Sequence, residues 1–373
     1  MRLQGIARVD GKTKDLIKRL RPGEIAIIDH ADLDEIAAQS LLEARVKAVV
    51  NARPFSTGRY PNLGPQLLAE YGVLLLDCVG QEIMTKVTEG DIVRIVSNRI
   101  ENQRGELVAE GTILTESMIR SQMAEAASNL IPLAEEFIDN TLEFAQREKG
   151  FVLGEVEFPK LNTSIESRHV VVVVRGHNYR ADLHTLRSYI ADVKPVLIGV
   201  DGGADALLEI GQKPDLIVGD MDSISDEALQ CGAEILVHAY PDGRAPGLGR
   251  VEELGLEAKT VAAPGTSEDI ALLLAYELGA ALIVAVGTHA GMIDFLEKGR
   301  PGMASTFLVR LKIGSVLVDA RGVSELYKVR FGHRYLLQVL IAAGLPLALL
   351  LLLSSPVRQM LRLILLQVRL AWR

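Results

Sequence analysis

The stretch PDLIVGDMDS, residues 214–223, is the part of the sequence that most restricts which folds are possible. Its apolar run is short and is bounded by proline and glycine, which favours a buried β-strand over a helix. Two carboxylates, Asp220 and Asp222, follow the strand two positions apart, with the hydroxyl of Ser223 beside them. Strands that read as continuous apolar runs are typical of parallel sheets covered by helices. The stretch therefore predicts an α/β domain with polar groups at one edge of its sheet.

Short Val- and Ile-rich runs that end in glycine, aspartate or histidine recur on both sides of this stretch, and helical patterns separate most of them. Between residues 168 and 287 these runs are RHVVVVVRG, PVLIGVDGG, PDLIVGD, AEILVHA, AKTVAAPG and AALIVAVG. Their alternation with helices predicts a doubly wound parallel sheet, in a domain that we place at residues 151–328. Ligands bind beyond the carboxyl ends of the strands in such a sheet, which is where the polar residues fall.

The first part of the chain predicts a second, smaller sheet. EIAIID, VKAVVN and GVLLLD are buried-strand patterns with helical patterns between them, so we expect a small N-terminal α/β domain over residues 1–112. GDIVRIVSNRIENQRGELVAEG predicts a β-hairpin. Residues 113–150 form a polar-rich helical pattern, which predicts a connector between the domains or a helix that forms a homodimer.

Composition excludes several functional classes. A formal net charge of −8 argues against a protein that holds nucleic acid by neutralising its phosphates. Cys78 and Cys231 are far apart and lack the spacing of a zinc site or a disulfide framework. The N-terminus has no apolar segment of the kind found in secretory signals, so we expect the N-terminal body to lie in the cytoplasm.

The C-terminal part predicts a membrane anchor. Residues 335–353, YLLQVLIAAGLPLALLLLL, carry no charge, and as a helix they reach about 28 Å, close to the thickness of a hydrocarbon core. We expect a single-pass transmembrane helix there. Residues 356–373 predict a basic amphipathic tail, and whether it crosses the membrane or lies along its surface stays open. One helical face of this tail carries Leu361, Ile364, Leu365 and Val368, and Arg358, Arg362 and Arg369 lie off that face.

The acidic turn predicts a magnesium site. Asp201, after the neighbouring strand, can join Asp220 and Asp222 at the sheet edge. Clustered carboxylates repel one another unless a cation lies among them, and hard oxygen ligands suit Mg²⁺, which also takes substrate phosphates. The alternative is that Asp222 and Ser223 only cap the next helix.

Other polar residues at the same edge are candidates for phosphate binding. Gly202 and Gly203 allow close approach of the backbone just before a helix begins. The histidines can contact phosphate or transfer protons, or can be structural, and the GTSED segment can bind an anion or only cap its helix. These further candidates are Arg175, His177, Asn178, His238, Thr266, Ser267 and His289.

The stretch VDGGADALLEIGQKPDLIVGDMDS resembles the thiamine pyrophosphokinase superfamily, whose signature is a DGG turn followed by PD-x-x-x-GD-x-DS. The resemblance implies that the acids hold Mg²⁺ and ATP while a diphosphoryl group passes to a hydroxyl. VHAYPDGRAPG, with His238 and Asp242, is similar to a segment of archaeal pterin diphosphokinase relatives.

Two segments depart from that family's pattern. PGTSED keeps Asp269 but lacks two carboxylates of the family's acidic segment, and GTHAGMIDF lacks the expected arginine and Asp-His pair. Diphosphoryl transfer depends on positioned neutralisation of charge, so these losses favour binding without efficient turnover. If the domain is an active diphosphokinase, the resemblance implies roles near the acceptor for His289 and Asp269.

The chain also resembles, nearly from end to end, the SteA-like cytokinetic ring proteins. The segments that carry this resemblance are GRYPNLGP, GDMDS, HAYPDGRAPG, GTSEDIALLLA and GRPGMASTFLVRL, followed by one terminal span. It implies a place at the division septum and a membrane partner protein. We therefore expect a membrane-anchored division protein that binds a nucleotide or diphosphate with Mg²⁺. The alternatives are an active ATP-dependent diphosphokinase of the thiamine or pterin type, and a pseudoenzyme scaffold without a ligand.

Overall fold

The computed structural model describes residues 2–326, 341–346, 348–349 and 353–371. The chain divides into two units, Met1–Val323 and Ser324–Arg373. The first unit holds two β-sheets, which confirms the mixed α/β fold with parallel sheets expected from the sequence.

The N-terminal sheet has eight strands within the described residues, in the order β7-β6-β5-β1-β2-β3-β4-β8. Its strands are β1 (Arg2–Asp10), β2 (Ile25–Ile28), β3 (Ala48–Asn51), β4 (Leu74–Asp77), β5 (Ile92–Val96), β6 (Arg99–Glu101), β7 (Leu107–Glu110) and β8 (Thr112–Ile113). Strands β1 to β4 pair in parallel, and the outer strands pair antiparallel. The three predicted buried strands are β2, β3 and β4, and the predicted hairpin is the antiparallel ribbon of β5, β6 and β7. Strand β1 has no counterpart in the sequence prediction, although it lies at the centre of the sheet.

Helices cover this sheet and continue into the connector. They are α1 (Thr13–Ile17), α2 (Glu35–Glu43), α3 (Leu63–Glu70), α4 (Ile83–Lys86), α5 (Glu116–Ser128), α6 (Leu130–Glu148) and α7 (Gly150–Leu153). Helix α2 begins where the Asp34 carboxylate accepts a hydrogen bond from the Ala37 backbone N–H at 2.7 Å. The helical pattern at residues 113–150 is interrupted at Asn129, which ends α5 and precedes α6.

The second sheet has seven strands within the described residues, all parallel, in the order β13-β12-β11-β10-β9-β14-β15. Its strands are β9 (His169–Val173), β10 (Val196–Val200), β11 (Leu216–Gly219), β12 (Glu234–Ala239), β13 (Lys259–Ala262), β14 (Leu282–Val286) and β15 (Leu317–Asp319). The six predicted strands are β9 to β14, and their parallel pairing confirms that prediction.

Helices pack on both faces of the second sheet. They are α8 (Tyr179–Thr185), α9 (Arg187–Val193), α10 (Gly203–Glu209), α11 (Asp226–Leu229), α12 (Pro246–Glu253), α13 (Ser267–Glu277), α14 (Met292–Glu297) and α15 (Ala304–Ile313). A short helix, α16 (Val323–Leu326), begins at the last residue of the first unit. Alternate residues of β9 point to opposite faces: Val170 and Val172 join the core under α13, whereas Val171 and Val173 join the core under α8 and α10. The sheet is therefore doubly wound.

The strand order places a crevice at one position. The chain runs outward from β9 to β13, then returns to add β14 on the other side of β9. Loops that follow β9 and β14 diverge to opposite faces at this switch point, which is where ligands bind in open α/β sheets.

Helix α6 packs against α15, so the second half of the predicted connector belongs to the body of the second domain, whereas Ile119 of α5 packs into the core of the N-terminal domain. The Thr141 hydroxyl accepts a hydrogen bond from the Met303 N–H at 3.1 Å, and Ala145 packs with Ala304 and Leu308. This packing accounts for one face of the helix, and homodimer formation stays a prediction.

An apolar cluster joins the two domains through the same helix. Tyr60 of the N-terminal domain packs with Leu133 and Phe137 of α6 and with Phe295 and Leu296 of α14. All five side chains are buried. We call these five residues the interdomain cluster.

In the second unit, a helix over Ser355–Ala371 covers most of the tail that was predicted to be amphipathic. Arg358, Arg362 and Arg369 lie within about 40° of one another around its axis. None of the helices in the described ranges is both long and apolar enough to pass through a bilayer. Much of the predicted span at 335–353, namely residues 335–340, 347 and 350–352, lies outside the described residues.

Candidate functional site

A cleft of about 750 Å³ lies at the carboxyl edge of the second sheet, and helices α1 and α2 of the N-terminal domain form its opposite wall. It contains the crevice between β9 and β14 that the topology predicts. The sequence-predicted residues that line it are Arg175, His177, Asn178, Asp201, Gly202, Asp220, Asp222, Ser223, Thr266, Ser267 and His289. The structure therefore brings together most of the candidates from five different strand ends.

The acidic turns after β10 and β11 face one another. Asp201 adopts a left-handed φ of 46°, and its Oδ1 accepts a hydrogen bond from the Met221 N–H at 3.1 Å. Desolvation and the charge of Asp220 raise the pKa of Asp201 to about 7. Desolvation also raises the pKa of Asp220. A nearby cation favours the ionised form of carboxylates that otherwise resist ionisation for these reasons, and Mg²⁺ prefers oxygen ligands. The oxygen atoms of these carboxylates therefore fit Mg²⁺.

Asp222 already has a cationic partner. The Lys14 ammonium donates to its Oδ2 at 2.6 Å, and the Ser223 hydroxyl donates to its Oδ1. Despite desolvation, these contacts hold the pKa of Asp222 below its usual value. Across the described ranges, no three His, Cys, Asp or Glu side chains are grouped as a metal site. The three-carboxylate magnesium site therefore stays a prediction.

Among the residues that the structure describes, three polar contacts cross the cleft, and each uses a residue of the N-terminal domain that sequence reasoning missed. Besides Lys14 with Asp222, the Nδ1 atom of His177 lies 2.8 Å from Glu35 Oε2, and Arg180 pairs with Glu43. The two residues of each pair are more than 130 residues apart in the chain, with separations of 208, 142 and 137 residues. No local pattern in the sequence could have identified these pairs.

Cationic side chains line the second domain's side of the cleft. Arg175 extends toward Asp205 and Glu209, at 3.9 and 3.4 Å from its Nη2 atom. Its Nε atom is buried and has no hydrogen-bond partner within the described residues. Lys298 and Arg300 line the same cleft. An orphaned guanidinium donor beside further cations fits an anionic ligand such as a phosphate.

The two glycines of the DGG turn are explained by packing. A Cβ atom on Gly203 would lie 1.9 Å from the Val173 carbonyl oxygen, and one on Gly202 would lie 2.8 Å from Arg175 Cδ. Gly203 does not line the cleft, whereas Gly202 does. The backbone of β9 thus requires glycine at position 203 whether or not a ligand is bound, whereas a side chain at position 202 would meet only the flexible Arg175 side chain.

A buried histidine–carboxylate pair lies after β14. The Nδ1 atom of His289 is 3.0 Å from Glu268 Oε2, and the His289 N–H donates to Glu268 Oε1 at 3.1 Å. Lys298 Nζ lies 3.2 Å from the same Nδ1 atom. Both His289 and Glu268 are buried and line the cleft. Glu268 was not among the sequence candidates, although it stands beside Ser267.

Asp269 does not line the cleft, which differs from the role suggested for it by resemblance. Its carboxylate is fully buried and accepts hydrogen bonds from the hydroxyls of Ser305 and Thr306, each at 2.7 Å. Thr266 and Asp269 form a reciprocal capping box at the start of α13. Burial raises the pKa of Asp269. The capping alternative is thus the one that the structure shows for this residue.

His238 and Asp242 also lie outside the cleft lining. His238 Nε2 donates to the Ala263 carbonyl at 3.0 Å, and its Nδ1 lies 3.1 Å from the Ser267 hydroxyl. Burial lowers the pKa of His238. Asp242 is exposed and pairs with Arg244 at 2.6 Å. Both residues therefore make local contacts in this structure.

Fold and cleft together define a class: a doubly wound α/β domain with a charged cleft at the carboxyl edge of its sheet. Residues 165–242 match the family described as thiamin pyrophosphokinase, catalytic domain, and residues 321–372 match the SteA-like C-terminal domain. The chain is 30% identical over 176 residues to the 6-hydroxymethyl-7,8-dihydropterin pyrophosphokinase of Methanothermobacter thermautotrophicus, covering 42% of this chain and 74% of that protein. The chain therefore belongs to this pyrophosphokinase family, and it carries a SteA-like C-terminal domain.

Two solved structures are weakly similar. Thiamine pyrophosphokinase from Bacillus subtilis is 22% identical with a TM-score of 0.26, covering 40% of this chain and 60% of that chain. The 3-isopropylmalate dehydratase from Methanocaldococcus jannaschii is 12% identical with a TM-score of 0.24, covering 36% of this chain and 98% of that chain. Scores this low carry no argument about function.

Proposed function

We propose that the second domain binds a nucleoside polyphosphate together with Mg²⁺ in the cleft. The observation that carries this proposal is the distribution of charge, with carboxylates after β10 and β11 and cations after β9 and β14 around one volume of about 750 Å³. Such a volume is in the range of small-molecule sites. Kinship with the pterin pyrophosphokinase supports ATP as the first nucleotide to test.

Different residues of the cleft would bind the metal ion and the phosphates of such a ligand. Asp201, Asp220 and Asp222 would hold the magnesium ion, which neutralises phosphate charge when bound. Arg175 and Arg300 would contact phosphate oxygens, because guanidinium groups match that geometry.

We propose that binding, rather than rapid diphosphoryl transfer, is the main role of the site. Asp269 serves as a helix cap, and the segment after β14 lacks the arginine and Asp-His pair expected near the acceptor. Loss of positioned charge there lowers the expected rate of transfer.

One observation favours the second candidate, an ATP-dependent diphosphokinase that acts on a thiamine- or pterin-type alcohol. Glu268 holds the buried ring of His289 at the cleft, which is the arrangement of an oriented general base. In that case His289 would accept the proton of the acceptor hydroxyl.

Calorimetric titration of the full-length protein with ATP, with and without Mg²⁺, tests the proposal. We expect magnesium-dependent binding that Asp220→Ala/Asp222→Ala removes, with Asp242→Ala as the control because its carboxylate is outside the cleft. Release of AMP in the presence of a thiamine or pterin alcohol would identify the diphosphokinase. If the wild-type protein binds no nucleotide, the proposal is wrong and a scaffold without a ligand is favoured.

We further propose that the C-terminal unit attaches the protein to the cell membrane at the division site, where a membrane partner protein meets it. The match of residues 321–372 to the SteA-like domain and the charge-free run at 335–353 support this proposal. The arginine stripe of the Ser355–Ala371 helix suits an anionic bilayer surface. Sedimentation with membranes should be lost when the chain is cut after residue 326. Continued sedimentation of that fragment would contradict membrane attachment through this unit.

A further inference from the structure

The N-terminal domain contributes a cation to the acidic turn, although the family match that defines the catalytic domain begins only at residue 165. Lys14 lies on α1, and its ammonium is 2.6 Å from Asp222 Oδ2. Lys18, one turn further on, is held within its own helix by Asp15 at 3.1 Å. Lys14 is thus the lysine of α1 that reaches the carboxylates.

The Lys14–Asp222 pair contributes little to stability. Both side chains remain about half exposed, at 45% and 56% of their full accessible surface. Water screens exposed ion pairs, so they stabilise a fold only slightly. The pair can therefore open at low cost when a ligand offers each partner a better contact.

A magnesium ion and the Lys14 ammonium compete for the same carboxylate. Both are cations, and placing both on Asp222 would set like charges against each other. A polyphosphate that arrives with the ion changes this balance, because its oxygens give the ammonium a new partner beside the metal. The flexible stem of lysine allows this exchange without a shift of the helix.

We propose that Lys14 is a nucleotide-binding residue supplied by the N-terminal domain: its ammonium occupies the cation position on Asp222 without ligand and moves to a phosphate oxygen when a magnesium-bound nucleoside polyphosphate enters. The ligand is then held between both domains. This inference rests on the nucleotide binding proposed above.

Lys14→Met tests the inference, because it removes the charge and keeps the length and helix propensity of the side chain. We expect the variant, in full-length protein, to bind Mg²⁺ alone more tightly, by about threefold, because the competing ammonium is gone. We expect it to bind ATP with Mg²⁺ about tenfold more weakly, because a charge-assisted hydrogen bond to phosphate is lost. Calorimetry measures both constants, and Mn²⁺ with magnetic resonance detection gives an independent value for the ion alone.

Lys12→Met is the matched control. It removes the same charge two residues away, from an exposed side chain that does not line the cleft, and should change both constants less than about twofold. Opposite changes for the ion and the nucleotide in Lys14→Met support the inference, because a purely structural lysine would shift both in one direction. Unchanged nucleotide affinity in this variant, or a loss of both affinities, overturns it while nucleotide binding itself stands. Failure of the wild-type protein to bind nucleotide would overturn both proposals.

Discussion

Replacing Glu297 by glutamine is expected to stabilise the protein at pH 8 and to have little effect at pH 5. Glu297 ends α14 and is partly buried. Desolvation and the nearby carboxylates of Asp34, Asp294 and Glu35 raise its pKa to about 7. Asp34 and Glu35 belong to the N-terminal domain, so the ionised form of Glu297 opposes the contact between the domains.

The direction and size of the effect follow from proton linkage. The folded state binds this proton more tightly than the unfolded state, so the free energy of unfolding falls as the pH rises from about 4.5 to about 7. A move of the pKa over that interval corresponds to about 3 kcal/mol, at roughly 1.4 kcal/mol per pH unit. Solvent screening at a partly exposed side chain reduces this free energy, so we expect the free energy of unfolding to change by about 1–2 kcal/mol.

Urea denaturation of the wild type and Glu297→Gln at both pH values measures the difference. Glutamine resembles the protonated carboxyl, so the variant should gain about 1–2 kcal/mol at pH 8 and far less at pH 5. Glu125→Gln, at an exposed position of α5, controls for the loss of one negative charge. Equal stability of the wild type and the Glu297 variant at pH 8, or a gain that does not depend on pH, would refute the reasoning.

Two further predictions concern residues whose roles are structural. Asp269→Ala should lower the free energy of unfolding by about 2–4 kcal/mol, because it leaves two buried hydroxyls without their acceptor; thermal unfolding should show no comparable loss for the exposed Asp242→Ala. A stable Asp269→Ala protein would contradict the capping role. Gly203→Ala should lower the free energy of unfolding by about 2 kcal/mol or more, because its Cβ would meet the Val173 carbonyl at 1.9 Å. Its control is Gly249→Ala, in open space on α12, which should be neutral or slightly stabilising in the same assay. Comparable stability of the two glycine variants would show that the turn can relax.

The strands of the second sheet could be predicted because burial on both faces leaves a continuous apolar run in the sequence. RHVVVVVRG and AALIVAVG are such runs, and they became β9 and β14 at the switch point. Strand β1 escaped prediction because it is not a continuous apolar run: polar and charged residues interrupt it, and the apolar Ile6 is exposed. A strand with Arg2, Arg8 and Asp10 among its residues resembles a surface segment unless its neighbours in the sheet are known.

The residues of the cleft that follow the strands of the second sheet were predicted from the sequence. Those that the N-terminal domain contributes were missed. Asp201, Asp220 and Asp222 converge because parallel strands end at one edge. Asp269 was assigned a catalytic role through resemblance, and the structure shows it in a capping box. The sequence could not decide between the two roles, because a carboxylate three residues after threonine is typical of both a ligand and a capping box. The pairing of Lys14 with Asp222 depends on how two domains pack, and short sequence patterns carry no information on that contact.

The contacts between the two domains differ in strength from one place to another. The interdomain cluster is buried and apolar, so separating it would expose large side chains to water. The contacts that cross the cleft are mostly exposed ion pairs, as the half-exposed Lys14 and Arg180 illustrate, and such pairs are weak. A ligand that enters the cleft therefore exchanges weak polar contacts for its own, whereas the cluster keeps the domains together. This division suits a protein in which occupancy of a phosphate site changes the contacts of the N-terminal domain without releasing it.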